Sequence, residues 1–305
     1  MKKIILDTDP GIDDAMAICY ALNHPQLEVL TLTTIYGNVA TDLATRNALR
    51  LCELNNQPVP VATGAVKPLE IPPNKVADFV HGCNGFGEIE LPPPALQAAS
   101  ASAAEFIVDL VNKHPGEITL VAVGPLSNLA IALELAPDIT HKVKEVVVMG
   151  GAFHRNGNVS EHAEANIWND PHAAKKVFTA DWPVIIQGLD VTYQISFSPE
   201  YFEEIATQSP VVGGFLRDAA AFYSAFYKKQ HNFDGCCPHD QLALSYVTNP
   251  QWYTFEHGIV DVVTEGEAIG KTTIEAAKHT NKSIATGVNR EALLDEYKRV
   301  LSLAR

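Results

Sequence analysis

The sequence predicts an α/β protein built on a parallel or mostly parallel sheet with helices on both faces. Three observations lead there. Short β-rich runs alternate with amphipathic helical stretches along most of the chain, the pattern of successive βαβ units. Residues 143–149 are almost continuously apolar, as a strand covered on both faces must be. Hydrophobic residues make up 47% of the 305 and charged ones 19%, enough for a large core and too apolar for a disordered chain. With neither an internal repeat nor a low-complexity linker to divide it, the chain is expected to fold as one domain, residues 1–305.

The elements follow in order. Residues 3–6 are a strand candidate, and 14–23 a helix. A second strand is expected at 29–34, and apolar residues at helical spacing mark 41–54. Helices are expected at 99–113, 125–135 and 171–178, and strands at 118–123, 143–149 and 184–187. Two segments break the alternation. Residues 67–94 are rich in Pro and Gly, with Pro92-Pro93-Pro94 near the end, and are expected to be a long loop. Residues 195–232 read as helical and carry Phe197, Tyr201, Phe202, Phe215, Phe222, Tyr223, Phe226 and Tyr227, an aromatic set suited to packing helices together.

Charge narrows the class of partner. With 36 acidic and 22 basic residues the net charge is −14, which argues against nucleic-acid polymers and anionic membrane surfaces, both of which demand clustered Lys and Arg. The three apolar residues Ile4-Ile5-Leu6 cannot make the h-region of a signal peptide, and no stretch approaches a membrane span. Cys19, Cys52, Cys83, Cys236 and Cys237 are odd in number and lack C-x-x-C spacing. A cytoplasmic location is the expectation. Cys236-Cys237 lies close to His239 but has no second ligand pair at zinc spacing.

The stretch Asp7-Thr8-Asp9-Pro10-Gly11-Ile12-Asp13-Asp14 carries most of the chemical information. Four carboxylates sit directly after a buried strand, where ligands bind in open α/β sheets. By the strand period, Asp7 and Asp9 share a face. Asp13 and Asp14 open a helix and could serve merely as caps. Capping does not explain Asp9, because converging carboxylates repel and raise one another's pKa. A hard cation resolves the conflict, and Ca2+ favours such oxygens.

Pro238-His239-Asp240-Gln241 opens a further expected helix, where Asp240 could close a metal shell and His239 could transfer a proton; a cap beside a surface imidazole is the bland alternative. Beyond the strand ending at Met149-Gly150-Gly151, a loop holds Asn158, Glu164, Asn166, Asn169 and Asp170, groups that suit sugar hydroxyls as well as ordinary loop chemistry. Tyr36-Gly37-Asn38 is similar. The run 266–272 has three residues between its glycines where a P-loop needs four, and no G-x-S-x-G elbow occurs.

Taken in order, DTDPGIDDA (7–15), YGN (36–38), HGCNG (81–85), VGPLSN (123–128), MGGA (149–152), EANIWNDP (164–171) and PHD (238–240) resemble the nucleoside hydrolases of the inosine-uridine preferring and pyrimidine ribonucleoside type, from residue 6 to about 300. The resemblance implies an open Rossmann-like α/β fold, a tightly bound Ca2+ and hydrolysis of the N-glycosidic bond of ribonucleosides to ribose and free base. It further implies Asp9, Asp14, Asp240 and the Val123 carbonyl as metal ligands. Ribose contacts would fall on Asp13, Asn38, Asn158, Glu164 and Asn166, with Met149 against the sugar. Asp9 would act as general base on water, and His239 with His81 would protonate or hydrogen-bond the leaving base. Tyr223, Phe226 and Tyr227 are candidates for the base pocket. His239 is similar to members that take pyrimidine or mixed nucleosides, whereas purine-specific members carry Trp there. The pattern is broken at Ile12, where some members have His or Val, and at Gln241, where Pro is usual. A homo-oligomer, tetramer or dimer, is expected by resemblance. Two alternatives remain: a catalytically silent nucleoside- or sugar-binding protein on the same fold, and a Mg2+ phosphohydrolase reading of Asp7-Thr8-Asp9 that lacks the Lys such chemistry needs.

Overall fold

The computed structural model describes residues 1–304. Its strands are β1 (Lys2–Thr8), β2 (Leu27–Thr34), β3 (Val61–Thr63), β4 (Ile118–Ala122), β5 (Glu145–Met149), β6 (Val184–Gln187), β7 (Tyr253–Val262), β8 (Thr272–Ala276) and β9 (Lys282–Val288). The helices are α1 (Ile12–Asn23), α2 (Thr41–Leu54), α3 (Asp78–His81), α4 (Ala103–Lys113), α5 (Ser127–Leu135), α6 (Ala165–Asn169), α7 (Pro171–Thr179), α8 (Leu189–Thr192), α9 (Pro199–Gln208), α10 (Val212–His231), α11 (Gln241–Thr248) and α12 (Arg290–Leu301).

These strands form one nine-stranded sheet in the order β3-β2-β1-β4-β5-β6-β9-β7-β8. Pairing is parallel from β3 through β6 to β9, and β7 runs antiparallel to both β9 and β8. The expected mostly parallel α/β sheet is therefore present. The order reverses at β1: the chain moves outward to β2 and β3, then returns to place β4 on the other side. Strand ends on the two sides of such a reversal splay apart and leave a crevice beyond their carboxyl termini.

Alternation in the central strands builds a core on each face. Ile4, Leu6, Val121, Val147 and Met149 pack into one cluster, with α1, α10, α11 and α12 contributing residues such as Met16, Leu216, Leu242 and Tyr297. Ile5, Leu120, Ala122, Val146 and Val148 face the other, beside residues such as Ile107 of α4, Leu129 of α5 and Val177 of α7. Successive side chains point to opposite faces, so a strand covered on both must be apolar throughout.

Several expectations are corrected. The expected helical span 195–232 is two helices, α9 and α10, broken where Ser209 precedes Pro210, because a residue before proline is driven out of the helical region. The 67–94 loop contains the short helix α3. Helix α4 starts at Ala103 rather than 99, because the Ser102 side chain accepts a bond from Glu105 N while Glu105 returns one to Ser102 N. Strands β3, β7, β8 and β9 were not expected. The 266–272 run lies in the β7–β8 connection, with Gly266 and Gly270 at positive φ, so it is a turn and not a phosphate loop.

Candidate active site

The carboxyl ends of β1 and β4 open into a cleft. Its walls bring together Asp13, Asn38, His81, Val123, Met149, Asn158, Glu164, Asn166, His239 and Asp240, residues spread over more than two hundred positions of sequence. Asp9 and Asp14 lie behind this surface, fully buried. Asp7 does not join them. Its Oδ1 accepts bonds from Thr33 Oγ1 at 2.5 Å and Asn128 Nδ2 at 2.8 Å, tying β1 to β2 and α5, and burial pushes its pKa up to about 7. The sharing of a face by Asp7 and Asp9 ends where β1 ends, at Thr8.

Asp9 is clamped by backbone. Asn38 N donates to its Oδ2 at 2.6 Å, while its Oδ1 is buried without a hydrogen-bond partner. A Cβ on Gly37 would sit 2.0 Å from Oδ2, and one on Gly124 would sit 2.6 Å from Oδ1. Only the absence of both side chains lets the carboxylate lie there.

Asp14 accepts four bonds: Thr8 Oγ1 at 2.5 Å and Asp9 N at 3.2 Å on Oδ1, and Gly11 N and Asn38 Nδ2, both at 2.9 Å, on Oδ2. The Gly11 bond is a cap contact at the start of α1, so capping and site chemistry are combined in one side chain rather than being alternatives. Asp240 precedes α11 but makes no side-chain cap bond. Capping therefore does not account for it, and it turns into the cleft.

One oxygen each from Asp13, Asp14 and Asp240 lie within 4.8 Å of one another, and Asp9 flanks this trio. Burial raises the pKa of every member. Asp14 raises those of Asp9 and Asp13 further, while Asp240 is raised further by Asp13, Asp14, Asp9 and Glu164. Among the described residues, the cleft lining holds no Lys or Arg to offset that charge. Buried anions so placed must either hold protons or hold a cation. The orphaned Oδ1 atoms of Asp9 and Asp13 and the all-oxygen donor set suit a hard divalent ion.

Glu164 caps α6: its Oε1 accepts from Asn166 N at 2.9 Å, and its Oε2 from Ile167 N at 3.2 Å and Gly151 N at 2.9 Å. Asn166 is thereby aimed at the sheet, where Nδ2 donates to Val123 O at 2.9 Å and Met149 O at 3.1 Å, joining the ends of β4 and β5. Each carbonyl keeps a second lone pair. Asn158, exposed at the rim, accepts a bond from Ala165 N.

The opposite end of the cleft is aromatic. Tyr223, Phe226 and Tyr227, all from α10, line it, as do Phe79 of α3 and Tyr193 after α8. His239 is buried, with Nε2 2.7 Å from Tyr227 OH and Nδ1 2.7 Å from Thr192 Oγ1. A looser chain continues from Tyr227 OH to Tyr223 OH and on to Asp13 Oδ2, each step 3.5 Å. His81 Nδ1 accepts from Ile12 N at 3.1 Å, and burial pushes its pKa down to about 3. The imidazole is therefore neutral with its proton on Nε2, a hydrogen-bond donor rather than a cationic acid.

Sequence reasoning missed Thr192, Tyr193 and Phe79. Thr192 and Tyr193 belong to a single helical turn with no periodicity of its own, and Phe79 lies in a segment whose Pro content reads as loop. The T-shaped contact between Tyr193 and His239, with ring centroids 5.1 Å apart, exists only through tertiary folding.

Residues 4–295 match the family model described as inosine-uridine preferring nucleoside hydrolase. The chain is 43% identical over 275 residues to uridine nucleosidase 1 of Arabidopsis thaliana, covering 90% of this chain and 82% of the relative. It is 36% identical over 275 residues to the pyrimidine-specific ribonucleoside hydrolase RihB of Escherichia coli O157:H7, covering 90% and 87%. Among solved structures, the purine-preferring ribonucleoside hydrolase from Gardnerella vaginalis superposes with a TM-score of 0.96 at 35% identity, covering 99% of both chains.

Proposed function

Because the chain belongs to the inosine-uridine preferring nucleoside hydrolase family, we propose that it hydrolyses the N-glycosidic bond of ribonucleosides to ribose and free base. The observation that carries the reading is the pairing, in one cleft, of an uncompensated carboxylate cluster with an aromatic end that holds a buried histidine. A ribose, rich in hydroxyls, suits the first half, and a planar base suits the second.

Ca2+ is the ion the donor set favours. Asp14 and Asp240 would hold it with Asp9 and the Val123 carbonyl, and Asp13, whose oxygen lies in the same trio, would face the ribose diol. When bound, the ion offsets the carboxylate charge and lowers the pKa of a nearby water. Asp9 is built for the base role: Asn38 N fixes Oδ2, leaving Oδ1 to accept a proton from the attacking water. As the C1′–N bond lengthens, positive charge grows on the sugar, and the surrounding carboxylates stabilise it. Asn38, Asn158, Glu164 and Asn166 orient the ribose, with Met149 beneath it.

The departing base needs a proton or a hydrogen bond at nitrogen. His239, poised between Thr192 and Tyr227, supplies it, and His81 contributes its Nε2–H. The presence of His239 and the uridine and pyrimidine activities named for relatives at 43% and 36% identity favour uridine or cytidine, or a broad range including inosine. A structural neighbour described as purine-preferring supports including inosine in that range.

A reducing-sugar assay on uridine, cytidine, inosine and p-nitrophenyl riboside tests the reading. Ribose release from at least one is expected. Release from none would leave the silent binding protein as the better account, and phosphate released from a phosphoester would favour the phosphohydrolase.

A further inference from the structure

A second cleft lies beside the first and shares no lining residue with it. It is bounded by Arg46, Asn47 and Arg50 of α2 and by Asn84, Phe86, Glu88, Ile89, Glu90, Leu91 and Pro93 of the long loop. Arg46 and Arg50 are one helical turn apart and so occupy one face of α2. Arg50 is only 7% exposed.

The two guanidinium groups stand out by lacking partners. Arg217 and Arg299 pair with carboxylates, and Arg155 and Arg290 donate to oxygen acceptors. Among the described residues, Arg46 and Arg50 form no hydrogen bond or ion pair. Glu53 attracts Arg50 electrostatically, but no neighbouring carboxylate hydrogen-bonds either guanidinium. Glu53 accepts from Ala95 N and Leu96 N, Glu88 accepts from Cys83 N, and Glu90 is exposed at the rim. The stem of Arg50 is packed in while its guanidinium nitrogens stay open to the cleft without an acceptor, and such a fork of donors is shaped for an oxyanion. Two such forks offer more donors than one carboxylate can accept, whereas a phosphate presents three or four oxygens and close to two negative charges.

We infer that Arg46 and Arg50 form a binding site for a small phosphate-type oxyanion, inorganic phosphate or a phosphomonoester, separate from the nucleoside cleft. The floor of the site connects the two. Asn47 Nδ2 donates to Pro10 O at 3.1 Å, one residue after Asp9, and to Asn84 O at 2.9 Å, three residues after His81. Anion binding thereby stiffens the loop that carries His81 against the turn that carries Asp9, making the site a regulatory one. Any reaction that releases a nucleoside by cleaving a phosphoester delivers phosphate alongside it, so substrate supply and anion supply rise together.

The test is calorimetric titration of the full chain with inorganic phosphate, then with ribose 5-phosphate as the phosphomonoester arm. Saturable binding is expected for at least one, weakened at least tenfold in Arg46→Gln and Arg50→Gln, partly restored in Arg50→Lys, and retained in Asp240→Asn. Arg46 is exposed, so its variant folds even if the Arg50 variant does not, and thermal melts of each separate misfolding from lost binding. Absence of saturable binding overturns the inference. So does binding unchanged in Arg46→Gln but lost in Asp240→Asn, which would place the anion at the carboxylate site. A change of oligomeric state in the arginine variants without phosphate binding would assign the pair to the carboxylates of a second copy and equally overturn it. The readout is binding rather than ribose release, so its failure is distinguishable from failure of the hydrolase reading.

Discussion

Gly37 backs directly onto the carboxylate of Asp9: a methyl group added there would fall 2.0 Å from Oδ2, inside any tolerable contact. The position of Asp9 thus depends on a residue with no chemistry of its own. Gly37→Ala is expected to lower kcat/KM for uridine by at least about tenfold through displacement of a single catalytic carboxylate. Unchanged kcat/KM in a folded Gly37→Ala protein would show that the clamp around Asp9 is not needed.

Asp9→Asn keeps the shape but removes the basicity of Oδ1. A loss in kcat of about 10²–10⁴-fold is expected, with circular dichroism and melting close to the parent, since general-base catalysis contributes on that order. Near-normal turnover would remove Asp9 from the base role.

His239→Ala separates leaving-group assistance from the rest of the site. Turnover of uridine should fall by about 10²-fold or more, while p-nitrophenyl riboside, whose leaving group departs without a proton, should be affected much less. Equal losses on both substrates would instead make His239 a packing residue between Thr192 and Tyr227.

Chelation should abolish activity, and Ca2+ should restore it. It should also change how stability depends on pH. Burial raises Asp7 from 3.8 to about 7 and holds Asp9, Asp13 and Asp240 well above the ordinary carboxylate range. The folded metal-free protein therefore binds more protons than the unfolded chain from about pH 4 to pH 7, and its stability must fall as pH rises through that window. His81, lowered from 6.5 to about 3, acts in the opposite direction but is one group against several. Melting temperature without metal should decline from pH 4 to 7, and Ca2+ should offset the decline by replacing protons with a cation. A metal-free melting temperature that climbs across that range would show that the carboxylates do not carry unrelieved charge.

Much of this was legible in the chain. The central strands β1, β2, β4, β5 and β6 announce themselves because burial on both faces demands an unbroken apolar run, and the Asp9–Asp14 segment is dense enough in carboxylates to imply a cation. The late strands β7, β8 and β9 escaped notice. β7 exposes alternate residues over much of its length, so its composition carries no continuous apolar signal. Tyr193 and Thr192 escaped for another reason: their role is set by His239, which lies more than forty residues away and reaches them only when α8 and the start of α11 are brought together.

What the amino-acid order determined by itself is local: which segments are strands or helices, and that Asp9, Asp13 and Asp14 must converge within one turn after β1, because a strand end followed by Pro10-Gly11 leaves them nowhere else to go. What only the tertiary structure decided is which of these carboxylates are satisfied. Asp14 is taken up by four donors, and Asp7 gives Oδ1 to Thr33 and Asn128 and keeps a bare Oδ2 outside the trio, whereas Asp9 and Asp13 each keep a bare oxygen at the cluster and Asp240 arrives from the far end of the chain without a capping role. Hydrogen-bond satisfaction depends on donors contributed by distant strands and loops. The division between structural and chemical carboxylates could be read only after the sheet had assembled.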